Sequence, residues 1–224
     1  MIQNQKPSLS SQTYQLIKGD IVTCILDPGQ FIAQADLAEK YKVGITPVRE
    51  ALRQLTQEGF VQPLPRLGYI VSPITTQDVE EIFELRDIFE TAAVRLAAER
   101  GSEESLSALL QYAGFTYTYK DRQSYTRFLN ENAEFHISIA NISGNKRLAY
   151  MESKIMDELN RVFHLGLDLR DSAEEMRNDH IALAEALKNR DMQSAELLAR
   201  AEILRSRERV MEAILRHQRP VFTP

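Results

Sequence analysis

Apolar positions recur at helical spacing in three short runs over the first sixty residues. Tyr14, Ile17 and Ile21 predict a first helix over about residues 11–24, behind a polar tail running from Gln3 to Ser11. Asp27-Pro28-Gly29 breaks it. Leu37 and Ala38 point inward from a second helix over 34–41. Thr46-Pro47 then reads as the N-cap and first position of a third helix, which runs to about Glu58. Val48, Ala51, Leu52 and Leu55 form its buried stripe, and Gly59 is a natural stop. Beyond it the pattern changes to two short strands, Phe60 to Leu64 and Tyr69 to Val71, joined by the turn Pro65-Arg66-Leu67-Gly68. Three helices followed by a two-stranded ribbon predict a winged helix-turn-helix, whose last helix enters a DNA major groove.

From residue 76 the pattern is helical throughout. The punctuation predicts six helices near 78–100, 103–119, 123–143, 146–165, 172–189 and 191–216. Ser72-Pro73-Ile74-Thr75-Thr76 is the boundary, giving a DNA-binding domain over 1–75 and an all-helical domain over 76–224. Ser172 with Glu175 three residues on reads as a capping box. The fold class is mainly α: a winged helix-turn-helix followed by a helical bundle.

The polar residues on the apolar stripes carry the chemistry. Arg86 falls among Ile82, Phe83, Phe89 and Ala93, and so faces the core. Asn132 and His136 lie one turn apart on the stripe of Phe128, Leu129, Phe135 and Ile139. His180 sits with Met176, Leu183 and Leu187, and Glu202 with Ala195, Leu198 and Ala199. A lone inward histidine is ordinarily a hydrogen-bonded core residue, and His164 and His217, near helix ends, keep that reading. An Arg, an Asn, two His and a Glu converging from four helices demand partners or a ligand, because unpaired buried polar groups are costly.

Charge sharpens the picture only when divided. The chain of 224 residues carries a net charge of −5, with one cysteine and no CxxC pair. Residues 1–75 hold seven Lys/Arg and six Asp/Glu, a net of +1, so the remainder is acidic at −6. A near-neutral head binds DNA only if its cations share a face. Arg49 and Arg53, four residues apart, leave the third helix on the side opposite its stripe. No apolar run reaches the ~18 residues of a membrane span, and no signal peptide opens the chain, so the expected location is cytoplasmic.

The strings Pro28-Gly29-Gln30-Phe31-Ile32, Asp36-Leu37-Ala38-Glu39 and Thr46 through Arg53, continued by Leu55 through Val61 and the wing glycine Gly68, resemble the GntR family of bacterial transcription regulators. The resemblance implies operator contacts by Lys42, Thr46, Arg49, Arg53, Arg66 and Gly68. The family usually carries Ser-Arg where this chain has Gly44-Ile45, and that arginine commonly contacts DNA. Base readout is then thinner than in typical members, or directed to another sequence.

The second half resembles the ligand-sensing FCD domain of the FadR-type branch. The matching strings are Glu84 through Glu90, Asn132-Ala133-Glu134-Phe135-His136 with Ser143-Gly144-Asn145, Asp179-His180, and Asp191 with Ala195. Six helices suggest its VanR-like group. Many such domains hold a divalent metal through an Asp and three His, and the corresponding positions here are Asn132, His136, His180 and Glu202. The resemblance thus implies a divalent ion, zinc foremost, with Arg86 free to hold the carboxylate of a small organic-acid effector. It also implies a homodimer on an inverted-repeat operator.

The leading expectation is an effector-controlled transcription regulator, a repressor in its simplest form. An architectural DNA-binding protein without effector leaves the inward polar cluster unexplained. A metal-dependent enzyme lacks an obvious base or nucleophile near the cluster. Metal content and a titration of candidate acids discriminate among the three.

Overall fold

The computed structural model describes residues 8–217 apart from Asp168, together with all their side chains except those of Leu165 and His217. The tail before Ser8 lies outside the described residues. The chain divides into two compact units, Met1–Ile74 and Thr75–Pro224.

In the first unit, α1 (Leu9–Val22) begins two residues earlier than its stripe suggests, because Ser8 caps it by accepting from the Ser11 amide at 3.1 Å. Then come β1 (Phe31–Ile32), α2 (Gln34–Tyr41), α3 (Ile45–Gln57), β2 (Val61–Leu64) and β3 (Gly68–Val71). Ile17, Ile21, Leu37, Val48, Leu52, Leu55 and Phe60 form a single buried core. The sheet differs from the expected ribbon. It has three antiparallel strands in the order β1-β3-β2, with Phe31 opposite Ile70 and Leu64 opposite Gly68. A two-residue edge strand has no period to detect, so tertiary pairing alone creates it.

The start of α3 also differs. Gly44 in extended conformation is its N-cap, and Thr46 lies exposed inside the first turn rather than capping it. Pro47 is then the third helical position, where its missing N–H is still unneeded. Gly59 follows the helix with a φ of +79°, as a terminating glycine should.

The second unit contains, among the described residues, six helices: α4 (Thr76–Arg100), α5 (Glu103–Tyr112), α6 (Arg122–Ile142), α7 (Lys146–Gly166), α8 (Ala173–Lys188) and α9 (Met192–His217). Helix α4 packs along α9 and also against α6 and α7, so inward side chains of these helices share one interior. The capping box sits at Thr75 and Asp78: the Asp78 amide donates to Thr75 Oγ1 at 3.1 Å and the Thr75 amide to Asp78 Oδ2 at 2.8 Å. The box expected at Ser172 is absent. Ser172 is buried with its hydroxyl 3.0 Å from that of Tyr117, and Glu175 reaches instead to Arg170 at 2.8 Å.

Helix α5 stops seven residues short of its expected end. Phe115 and Tyr117 leave the helical path to bury their rings against Phe128, at centroid distances of 5.6 and 4.9 Å. That stretch therefore serves as an aromatic plug beside α6. Aromatic burial outweighs continuation of a helix past Gly114, a poor helix former.

Candidate functional site

In the first unit, α3 presents Thr46, Arg49 and Arg53 to solvent while Val48, Ala51, Leu52 and Leu55 hold its other face in the core. Lys42 is exposed at the C-cap of α2 in the left-handed conformation, with a φ of +54°. Arg66, at φ +66°, is exposed in the β2–β3 turn. Pairing separates the cations into two groups. Lys40 binds Asp20 at 2.6 Å and Lys18 binds Glu58 at 3.4 Å, while Glu58 also accepts from Tyr14 at 2.7 Å. Glu50, the natural neighbour for Arg49 and Arg53, is engaged by the Ser10 hydroxyl. Lys42, Arg49, Arg53 and Arg66 have no ion pair among the described residues, which leaves four unneutralised cations at the end of α2, along α3 and in the turn. Such an arrangement suits a polyanion even though the unit's net charge is small.

Gly68 does not act through a side chain. At φ +131° it lies so close to β1 that an added Cβ would sit 2.8 Å from the Ile32 carbonyl oxygen. The glycine lets β3 approach β1 and so fixes the angle of the β2–β3 turn.

In the second unit, Arg86 from α4, Asn132 and His136 from α6, His180 from α8 and Glu202 from α9 are all buried. The structure brings four of them into one cluster. His136 Nε2 lies 3.2 Å from Glu202 Oε1, and His180 Nε2 lies 3.6 Å from the same oxygen. One donor atom from each of His136, His180 and Glu202 lies within 4.8 Å of the others. His164 on α7 takes no part in that triplet, and the side chain of His217 is outside the described residues.

Arg86 is not free, contrary to expectation. Its Nε donates to Glu90 Oε2 at 2.7 Å and its Nη2 to Glu202 Oε1 at 3.0 Å. Glu90, missed in the sequence, also lies 2.8 Å from His136 Nδ1 through Oε1. The signal was present: Glu90 follows Arg86 by four residues, one helical turn, at a position able to pair with it. Glu152 on α7 is the second missed acid. It is fully buried and both carboxylate oxygens lack a hydrogen-bond partner.

The charge states follow from this geometry. Burial pulls the His136 pKa down, but carboxylates beside both ring nitrogens overcome it and push it up to about 10. His136 is thus an imidazolium, and its 3.5 Å approach to Arg86 Nη2 is a contact between two cations bridged by Glu202. Burial raises the carboxyls of Glu90 and Glu202, yet the adjacent cations hold both below the ordinary carboxylate range. Glu152 is opposite: burial and the nearby Glu90 charge push its pKa up to about 8.

A divalent ion fits part of this arrangement. The donor set, two imidazoles and a carboxylate, suits zinc. His180 Nδ1 and Nε2, Glu202 Oε2 and Asn132 Nδ2 are buried without hydrogen-bond partners, as ligand atoms and their neighbours would be before an ion binds. Arg86 competes for Glu202, and metal binding there would have to displace it. Asn132 could contribute only its amide oxygen.

Residues 9–71 match the bacterial regulatory proteins of the gntR family, and residues 81–217 match the FCD domain. The Escherichia coli K12 HTH-type transcriptional repressor GlaR is 28% identical over 199 residues, covering 85% of this chain and 90% of that protein. The Nta operon transcriptional regulator of Aminobacter aminovorans is 26% identical over 187 residues, covering 84% and 87%. The solved structure of E. coli McbR/YncC shares the fold, with a TM-score of 0.73 at 24% identity over 95% of this chain and 99% of that one. A GntR regulator from Rhodococcus sp. RHA1 superposes with a TM-score of 0.75 at 19% identity, over 92% and 99%. These matches are to regulators rather than enzymes. The chain therefore belongs to the GntR family of transcriptional regulators, with a DNA-binding helix-turn-helix in its first unit and an FCD domain in its second.

Proposed function

We propose that the protein is a homodimeric repressor that binds an inverted-repeat operator and releases it in response to a small organic acid sensed by the FCD domain. The observation that carries the reading is the convergence of Arg86, His136, His180 and Glu202 in the bundle interior, with donor atoms left unpartnered. In this reading Arg49 reads bases, with Thr46, Arg53, Lys42 and Arg66 supporting it and Gly68 shaping the wing. Two copies are needed because one head with four unpaired cations offers few contacts, whereas two heads on a palindrome double them at fixed spacing. Relatives named as repressors, GlaR and RspR of E. coli, support the direction of control.

His136, His180 and Glu202 would hold a divalent ion, most naturally zinc, with Asn132 beside it. Such an ion supplies a Lewis-acid anchor for a carboxylate. Arg86, released from Glu202, would clamp the same carboxylate in a two-pronged pair. The effector would act by binding the DNA-competent and DNA-released states with different affinity. A second reading is favoured by the Arg86–Glu202 contact itself: the guanidinium serves as the resident cation and the centre stays free of metal.

Fluorescence anisotropy on operator fragments, with zinc and a panel of carboxylates added separately and together, tests the proposal. The expected result is tight binding to one inverted repeat, weakened by an acid. Operator binding that no acid changes at any metal level would leave an architectural DNA-binding protein.

A further inference from the structure

Within the interior cluster of Arg86, Glu90, His136, Glu152 and Glu202, four of the side chains face oppositely charged neighbours and Glu152 does not. Arg86 lies against Glu90 and Glu202, and His136 lies between the same two acids. Two cations are thereby matched by two carboxylates. Glu152 is left over, with 0% exposure and neither oxygen hydrogen-bonded. The groups whose charge acts on it are Glu90 and Arg86 on α4 and His136 on α6, so it belongs to the same interior. Both cations among them are committed elsewhere. An unpartnered buried acid costs stability, because the hydrogen bonds it gives up with water are not replaced. A structural role would normally supply a partner; a binding role leaves the group open.

An anionic ligand alone would leave Glu152 still unmatched and would face its oxygens. A ligand bearing an ammonium group as well as a carboxylate would satisfy both ends: carboxylate toward Arg86 and the His136–His180–Glu202 corner, ammonium toward Glu152. We propose that Glu152 recognises a cationic amine on the effector, and that the effector is therefore an amino-carboxylate rather than a plain carboxylic acid. The inference rests on the reading of the FCD domain as an acid sensor and narrows its ligand class. Burial and the Glu90 charge push the Glu152 pKa up to about 8, so this carboxyl is held largely protonated at neutral pH and would give up its proton on pairing with an ammonium.

The test uses the full-length protein, with and without zinc, titrated calorimetrically at neutral pH with matched pairs: alanine and propionate, glutamate and glutarate, aspartate and succinate. At least one amino-carboxylate should bind about tenfold more tightly than its amine-free partner, equivalent to about 1.4 kcal/mol. In Glu152→Gln, which keeps shape and burial, that preference should collapse to within about twofold while thermal melting stays cooperative. If Glu152→Gln fails to fold, the wild-type comparison still decides. Amine-free acids binding as well as their partners, or a preference that survives Glu152→Gln, would overturn the inference and leave the acid-sensor reading standing. Binding by neither member of any pair, with or without metal, would remove the support for both.

Discussion

Arg86 Nη2 on α4 lies 3.0 Å from Glu202 Oε1 on α9, so the proposed carboxylate clamp is bonded to a residue of the proposed metal site. The contact joins the first and last helices of the FCD domain through two charges that are almost wholly buried. Anything that takes Glu202 from Arg86, whether an ion or an effector, must alter how α4 is tied to α9. That is a direct route from ligand binding to the packing of the bundle.

Replacing Arg86 by Met should destabilise the metal-free protein strongly, by about 3–5 kcal/mol, because Glu90 and Glu202 would be left as buried carboxylates without their guanidinium partner. Urea denaturation monitored by circular dichroism measures it. A change below about 1 kcal/mol would mean that the two acids are not paired as described.

Stability of the chelator-treated protein should fall as pH rises. The folded pKa of His136 is raised from 6.5 to about 10, so its contribution is fully present below 6.5 and is lost as pH climbs toward 10. Glu152 acts in the same direction, since an acid with pKa raised from 4.5 to about 8 disfavours the folded state increasingly across that interval. Melting temperature against pH should therefore decline from about pH 6 upward, and Glu152→Gln should flatten the part below pH 8. A flat profile over pH 6–10 in the wild type contradicts both assignments.

Zinc binding should release a proton, because an imidazolium cannot ligate and His136 must surrender the proton it shares with its flanking carboxylates. Calorimetry in buffers of different ionisation enthalpy reads this directly, and affinity should weaken as pH falls. Protein purified without chelator that contains essentially no metal, and whose melting point zinc, nickel and manganese leave unmoved, would favour the metal-free reading.

Arg49→Ala should weaken operator binding by about 1–3 kcal/mol while leaving the melting temperature unchanged, since the side chain is exposed and unpaired. Affinity should also fall steeply with salt as phosphate contacts release counterions. Undiminished affinity in this variant, measured by anisotropy at several salt concentrations, would remove Arg49 from the interface.

Gly68→Ala should cost about 1–3 kcal/mol and also reduce operator affinity. The new methyl would meet the Ile32 carbonyl oxygen at 2.8 Å from a backbone conformation that L-residues avoid, so β3 must move away from β1. Heat denaturation and anisotropy together check it; normal values in both would deny the glycine its role in shaping the wing.

The sequence by itself determined the helical architecture, because each long helix repeats its own apolar stripe and that repeat is a local property. It also placed Arg86, Asn132, His136, His180 and Glu202 inside, since helical periodicity states which way a side chain points. What it could not state is who meets whom. Strand β1 exists only because β3 lies beside it, and the end of α5 was decided by aromatic rings packing on Phe128. Arg86 read as a free clamp until the fold set Glu90 and Glu202 against it. Glu152 lies on the apolar stripe of Leu148, Ile155, Met156 and Leu159, so its inward direction was legible although it was overlooked, and only tertiary packing left it unpartnered. Periodicity is written along one helix, whereas charge pairing depends on distances between helices, and those are fixed only when the bundle closes.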